Sequence, residues 1–537
     1  MNREPALHRL ADAAHPWDVL VIGGGATGLG VAVDAAARGY RTALVEQHDF
    51  AKGTSSRSTK LAHGGVRYLC SGEIGLVRGA LRERGLLARN APHLVHRRGF
   101  VIPVYRRLDL PIYGLGLKAY ERLSGKLSFG ASRRLSVAET RSLLPTVKPA
   151  GLRGGVLYYD GQFDDARLAL ALAQTADQQG ATVINYVRVE RLLQENGRLV
   201  GAEIVDQETG RRLPVRARVI VNATGIFTDD IRRLDDPAVK PMLAVSSGVH
   251  LTLPRGFLPG DHALMIPRTS DGRVLFAVPW LDHVILGTTD EPRTAPELEP
   301  RPLEREIQFL LKTANDYLAK PVARSDVLSV FTGLRPLVRN GGAAATKSLS
   351  RDHVIAVSPS GLVTLTGGKW TSYRKMAEDA VTRAAEVGGL TFRASPTPTL
   401  RLFGAPAAGR AAPPRRFAHY GTEAVGLETL IQNEPALGEP LGPSLALCGA
   451  EIVWAARHEM ARTLDDVLAR RTRWLQLDAR AALAAAARAA EFLARELGRD
   501  QAWIAAQLAE FAALAADHLP AAPTPTGSAS PSPATPG

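Results

Sequence analysis

The sequence predicts an α/β protein: a Rossmann-like dinucleotide-binding domain, a β-rich domain interleaved with it, and an α-helical C-terminal domain. Three observations carry this. A short apolar run ends in a G-x-G-x-x-G turn and a small-residue helix near the N-terminus. Strand-like alternation dominates from about 181 to 290. Alanine and leucine recur at helical spacing from about 416 onward.

The first unit is read most directly. DVLVI (18–22) is a buried strand, GLGVAVDAAARG (28–39) a helix closing at Gly39, and TALVEQ (42–47) a second buried strand. Short apolar strands of this kind belong to a parallel sheet covered on both faces. Between strand and helix lie Gly23, Gly25 and Gly28. The first allows the tight turn, the second lets a pyrophosphate approach the backbone, and the third lets helix and strand pack closely. Glu46 ends the second strand, where an acid accepts hydrogen bonds from ribose hydroxyls; this disfavours a 2′-phosphate, and so NADP. At this point NAD and FAD both fit.

Further along, ATVINYVRVERLLQENGRLVGAEIVD (181–206) alternates as paired strands around an Asn196-Gly197 turn. RARVIVNATG (216–225) is another buried strand with a glycine turn. Residues 243–290 are strand-rich, LEREIQFLLKTANDYL is helical, and 361–386 reads as strand, Gly-Gly turn and helix. The predicted organisation is an N-terminal extension (1–15), the nucleotide-binding domain with its interleaved β-rich domain (16–395), and a Pro/Ala/Arg-rich linker (396–415). A helical domain (416–518) and a low-complexity, disordered tail (519–537) follow.

Composition narrows the classes. A chain of 537 residues exceeds a single core, and 45% hydrophobic with 22% charged residues is globular. The net charge of +13 suits an acidic partner such as a phosphorylated substrate, an anionic lipid or nucleic acid. Aromatics at 6% with no interleaved basic clusters argue against a nucleic-acid partner, and so against an FAD-dependent nucleic-acid-modifying protein. Cys70 and Cys448 form no CxxC pair and the histidines show no ligand spacing, so no metal is expected. With no signal-peptide core or spanning apolar run, the expected location is cytoplasmic.

Five stretches occur in a diagnostic order: DVLVIGGGATGLGVAVDAAARG, TSSRSTKLAHGGVRYL, VNATG, GLRPL and GGKWTSYRKMAEDA. In them the chain resembles the FAD-dependent glycerol-3-phosphate dehydrogenases, within the D-amino-acid-oxidase-like flavoproteins, from about 16 to 390. RTLDDVLARRTRWLQLD (462–478) looks like that family's C-terminal domain. The resemblance implies FAD as cofactor, with Ala223 and Gly225 returning to it from the second strand-end turn. It also implies oxidation of sn-glycerol 3-phosphate to dihydroxyacetone phosphate by hydride transfer to flavin, with electrons passed to a membrane quinone. An oxidase of the same fold, giving electrons to O2 and making H2O2, would carry the same flavin fingerprints. Self-association is left open.

Residue roles follow from that resemblance. Thr54, Ser55 and Ser56 would bond the FAD pyrophosphate and ribityl chain, and Lys60 and Leu61 would pass along the isoalloxazine. His63 would take the hydroxyl proton, a task imidazole suits because an unperturbed histidine changes charge near working pH; a structural histidine capping the Gly-Gly turn is the plainer role. Arg335 and Arg351 would bind phosphate or the developing alkoxide, and Arg67 and Tyr68 would reach substrate. Lys369, after Gly367 and Gly368, would stabilise negative charge on the reduced ring. Arg57 and Trp370 are bulkier than the pattern needs. Finally, residues 108–126 place Ile112, Leu115, Ala119, Tyr120 and Leu123 on one helical face, suiting a peripheral contact with the inner face of the cytoplasmic membrane.

Overall fold

The apolar run Trp17–Ile22 is a strand, and its neighbours on both sides, Thr42–Val45 and Arg212–Asn222, run parallel to it. The computed structural model describes residues 1–12, 15–65, 73–106, 109–270, 272–339, 353–407, 415–442 and 446–520. The first sheet runs His353–Val357, Leu362–Gly367, Arg212–Asn222, Trp17–Ile22, Thr42–Val45, Thr182–Ile184. Helices Asp165–Gln178 and Tyr373–Val387 both pack on helix Ala26–Ala37. Gly30 permits the closer of these approaches, since a Cβ there would lie 2.9 Å from the Tyr373 ring. The hairpin Val187–Glu195/Arg198–Asp206 extends from the Arg212–Asn222 strand. Its turn uses Asn196 (φ 51) and Gly197 (φ 74), the two left-handed residues a type I′ turn requires.

The second sheet has ten strands and forms the β-rich region. Leu243–Pro254 pairs along its length with Ser329–Val338, and then with His283–Gly287. Helix Glu304–Tyr317 lays Ile307, Leu310 and Ala314 onto Val249, Leu251 and Leu286. Two long strands, Val95–Pro103 and Gly155–Phe163, complete the far side, pairing antiparallel. The chain therefore crosses between the sheets several times.

The C-terminal helices, including Gly449–His458, Ala479–Leu497 and Gln501–His518, bury their alanine and leucine faces in a core of their own. The α/β architecture with a β-rich region and a helical C-terminal region is the one the sequence predicts. Residues Arg3–Ala11 of the N-terminal extension form a helix whose Ala6, Leu7 and Leu10 join the main core. In the stretch expected as a linker, Thr397 and Leu402 are buried, and the Leu402 N–H donates to Asn90 O at 2.9 Å. Of the expected tail, residues 521–537 lie outside the described residues.

Candidate active site

Two clefts share one loop. The longer, about 1100 Å³, lies at the C-terminal ends of the parallel strands, where ligands bind in open α/β sheets. Gly23, Gly25, Glu46, Thr54, Ser55, Ala223 and Gly225 line it. Its floor has no room for side chains. A Cβ on Gly23 (φ 111) would lie 2.6 Å from Ala223 O, and one on Gly28 would lie 1.9 Å from Gly23 O. A Cβ on Gly25 would press on Ser55 Oγ at 3.0 Å. The N-terminus of helix Ala26–Ala37 opens into this space, with the Ala26 N–H donating to Ser55 Oγ at 2.9 Å.

Glu46 is fixed before any ligand arrives. The Gly24 N–H donates to its Oε2 at 2.6 Å and the His48 N–H to its Oε1 at 2.8 Å. Burial pushes this carboxyl's pKa up, against the pull of those two amides. A turn of glycines, a helix N-terminus and a strand-end acid fit a dinucleotide's pyrophosphate and ribose.

The second cleft, about 830 Å³, is lined by Leu61, His63, Gly65, Arg273, Asp290 and Arg335, with Phe100, Tyr158, Met265 and Phe276 as its apolar wall. Arg335, on strand Ser329–Val338, is held by three donations: Nη1 to Ser247 O (2.9 Å), and Nη2 to Thr289 O (2.9 Å) and Thr288 Oγ1 (3.2 Å). Gly248 makes space for it, since a Cβ there would lie 2.4 Å from Arg335 Nη2. Asp290 stands 3.6 Å from Arg335 Nη1. Cations facing an apolar wall suit a small anionic substrate.

The loop Thr54–Gly65 passes from one cleft to the other. Thr54 and Ser55 line the first, and Leu61, His63 and Gly65 the second. Thr54 Oγ1 donates to Leu334 O at 2.6 Å, one residue before Arg335. The turn carrying Gly367, Gly368 and Lys369 is tied to the same loop. Trp370 Nε1 donates to Ser55 O (2.8 Å), and the His63 N–H donates to Thr371 Oγ1 (3.2 Å). The bulky Trp370 thus has a positioning task, as does Arg57, whose guanidinium pairs with Glu299 at 2.5 Å.

One residue expected at the cofactor points elsewhere. Lys60 is fully buried; its ammonium donates to Asp165 (2.7 and 2.9 Å), Ser56 O (2.6 Å) and Gln476 Oε1 (3.0 Å). An ammonium taken out of water must be paired, so it locks the loop from behind and does not line the cleft. Ser56 is buried with it, its carbonyl serving as that acceptor. Arg67, Tyr68 and Arg351 lie outside the described residues. Sequence reasoning missed Arg273 and the run Thr288-Thr289-Asp290. The second had a readable signal: hydroxyls and an acid directly after the apolar strand His283–Gly287. It also missed Asp160, which lines the second cleft, and Tyr120, whose hydroxyl donates to it.

Family comparison agrees with this geometry. A model described as FAD dependent oxidoreductase matches residues 18–374. One described as the C-terminal domain of alpha-glycerophosphate oxidase matches 364–504. The chain is 43% identical over 528 residues to the mitochondrial glycerol-3-phosphate dehydrogenase SDP6 of Arabidopsis thaliana, covering 90% of this chain and 84% of that one. It is 40% identical over 529 residues to the mitochondrial glycerol-3-phosphate dehydrogenase of Rattus norvegicus, covering 92% and 72%. The solved glycerol-3-phosphate dehydrogenase of Bacillus halodurans, complexed with FAD, superposes with a TM-score of 0.78 at 28% identity, covering 98% and 99%. An L-alpha-glycerophosphate oxidase from Mycoplasma pneumoniae shares the fold, with a TM-score of 0.56 at 17% identity over 71% of this chain. With its glycine cradle, its strand-end acid and these relatives, the chain belongs to the FAD-dependent glycerol-3-phosphate dehydrogenases, and FAD is its cofactor.

Proposed function

We propose that this enzyme oxidises sn-glycerol 3-phosphate to dihydroxyacetone phosphate in the cleft lined by His63 and Arg335, and delivers the electrons to a membrane quinone. The observation that carries the reading is the shared loop: one stretch of chain, Thr54–Gly65, lines both the dinucleotide cleft and the cationic one. When bound, FAD supplies the hydride acceptor.

The protein's own groups divide the remaining work. Gly23 and Gly25 leave the backbone open to the pyrophosphate, Glu46 offers carboxylate oxygens to the ribose, and Thr54 and Ser55 offer hydroxyls. In the second cleft, Arg335 presents a fork already fixed on its far side by Ser247 and Thr289, so little side-chain entropy is lost when an anion arrives. Arg273 adds positive charge beside the aromatic wall. His63 lines the same cleft, and its proposed role is to take the substrate hydroxyl proton. Lys369 belongs to the turn that Trp370 ties to the loop, and its proposed role is to stabilise negative charge on the reduced ring.

Two features support a membrane acceptor. Helix Asp109–Ser124 exposes Ile112 (63%) and Leu115 (74%), one turn apart on the same face, and the chain carries a net charge of +13. An apolar ridge on a basic protein suits the surface of an anionic bilayer. Tyr120, expected on that face, is instead buried and supports the site. Among the described residues, no helix is long and apolar enough to cross a membrane. The proposed location is therefore peripheral, on the inner face of the cytoplasmic membrane.

Anaerobic titration of the yellow protein with glycerol 3-phosphate tests the substrate. Bleaching of the visible flavin band by the phosphate ester, and not by glycerol, is the expected result; a flavin that stays oxidised rejects it. Comparing ubiquinone-analogue reduction with aerobic peroxide yield then tests the acceptor. Dominant peroxide formation would make the protein an oxidase.

A further inference from the structure

Residues 463–478 of the C-terminal region meet the loop behind the FAD cleft at four places. Asp49, fully buried, receives Arg471 Nη2 on Oδ1 (2.8 Å) and Arg470 Nε on Oδ2 (2.5 Å). Lys52 pairs with Asp465. Ser56 O accepts from Gln476 Nε2 at 2.9 Å, and Gln476 Oε1 accepts from Lys60 Nζ at 3.0 Å. The anchored residues, 49, 52, 56 and 60, recur every three or four positions between Glu46 and His63.

That loop has little means of holding its own shape. Of QHDFAKGTSSRSTK (47–60), only Phe50 and Ala51 are apolar. The bracing segment is unusually formed in turn. Asp466–Arg471 is a π-helical turn, wide enough for adjacent Arg470 and Arg471 to reach one carboxylate, and Arg473 is left-handed (φ 65). Such irregular turns collect at functional sites. The segment is also moored to the β-rich region: Thr252 Oγ1 donates to Gln476 O (2.6 Å) and Ser329 Oγ to Leu475 O (2.7 Å).

We propose that segment 463–478 is a brace for the FAD loop, with Gln476 as a positioning residue whose contribution is felt as FAD affinity. This rests on the long cleft being the FAD site. Gln476 uses both ends of its amide on the loop, one on Ser56 O and one on Lys60, directly behind Thr54 and Ser55. A brace that orders the loop for FAD must itself be ordered by FAD, because coupling between two sites is reciprocal.

The test compares apo-proteins. Gln476→Met keeps the side-chain bulk and removes both bonds, and Gln476→Ala serves if it does not fold. Ser329→Ala loosens the same turn on its other side without touching the loop. FAD affinity is read from quenching of flavin fluorescence, and apo stability from Tm. Loss of the two hydrogen bonds is expected to weaken FAD binding by about tenfold in Gln476→Met, with Ser329→Ala within about twofold of wild type although both lower Tm. In the wild type, adding FAD is expected to slow amide hydrogen exchange over 463–478. Unchanged affinity in Gln476→Met, equal weakening in both variants, or exchange over 463–478 indifferent to FAD each overturns the brace. If neither Gln476 variant folds, the exchange result decides. A wild-type apo-protein that does not bind FAD would instead overturn the cofactor assignment on which the brace depends.

Discussion

Tyr120 Oη lies 2.7 Å from the Gly64 N–H and 2.7 Å from Asp160 Oδ2, so helix Asp109–Ser124 holds the turn that follows His63. Burial and the neighbouring Asp160 carboxylate keep the phenol's pKa well above its usual value, so it stays protonated, donating to Asp160 and accepting from Gly64. Arg84 Nη1 fixes Asp160 from the other side at 2.8 Å. A side chain at 64 would strike Leu81 at 2.5 Å. Tyr120→Phe leaves a buried N–H unpaired, at a cost of about 1–3 kcal/mol. Substrate-driven flavin reduction in anaerobic stopped flow is expected to slow by roughly tenfold with FAD content unchanged. A wild-type rate would show that His63 does not depend on this turn.

Arg335 is predicted to govern substrate binding. Its fork needs several nitrogens at once, with Ser247, Thr288 and Thr289 behind it and substrate in front. Lysine offers one nitrogen, so Arg335→Lys cannot satisfy both sides. The expected outcome is a KM for glycerol 3-phosphate raised by about 10- to 100-fold, with FAD affinity unchanged. Steady-state kinetics with glycerol 3-phosphate against a quinone analogue checks it. A change in kcat alone would move Arg335 from binding to the chemical step.

The first cleft was more legible in the sequence than the second. Gly23, Gly25, Gly28 and Glu46 lie within one local unit, so spacing along the chain is nearly spacing in space. His63 and Arg335, 272 positions apart, were readable only through family pattern, because strand pairing between Leu243–Pro254 and Ser329–Val338 sets where Arg335 lands. Strands Val95–Pro103 and Gly155–Phe163 escaped notice because His96-Arg97-Arg98 and Asp160-Gly161-Gln162 break their apolar alternation. Those polar residues have tertiary partners: Asp160 binds Arg84 and Tyr120, and Gln162 Oε1 accepts from Arg98 Nε at 2.8 Å. Lys60 deceived for the same reason. A lysine in a polar loop reads as a ligand contact, and only the fold reveals Asp165 behind it.

Glu46 is predicted to matter through both of its oxygens. Each already accepts a backbone N–H, from Gly24 and from His48. Glu46→Gln replaces one acceptor with an NH2 that must face an N–H, at about 1–3 kcal/mol. FAD binding to the apo-protein is expected to weaken by roughly 10- to 100-fold, with the visible spectrum of the bound flavin unchanged. Binding as tight as wild type would mean that the acid fixes the loop without serving the cofactor.

His93 makes stability depend on pH with a definite sign. Burial first, and the Arg167 guanidinium second, lower its pKa to about 3 in the folded protein, against roughly 6.5 for an unfolded histidine. Below about pH 6.5 the unfolded chain therefore takes up a proton that the folded chain refuses. The stability tied to this imidazole is fully present above about pH 6.5 and is lost as pH falls toward 3. The slope approaches about 1.4 kcal/mol per pH unit. The ring packs under the chain at Gly404 and Gly421, so His93→Gln will be less stable than wild type at neutral pH. It has nothing to protonate, however, and its disadvantage is expected to shrink by roughly 2 kcal/mol between pH 6.5 and 5. Urea unfolding of both proteins at several pH values measures that difference directly. Parallel stability curves would mean that His93 is protonated in the folded protein as readily as in water.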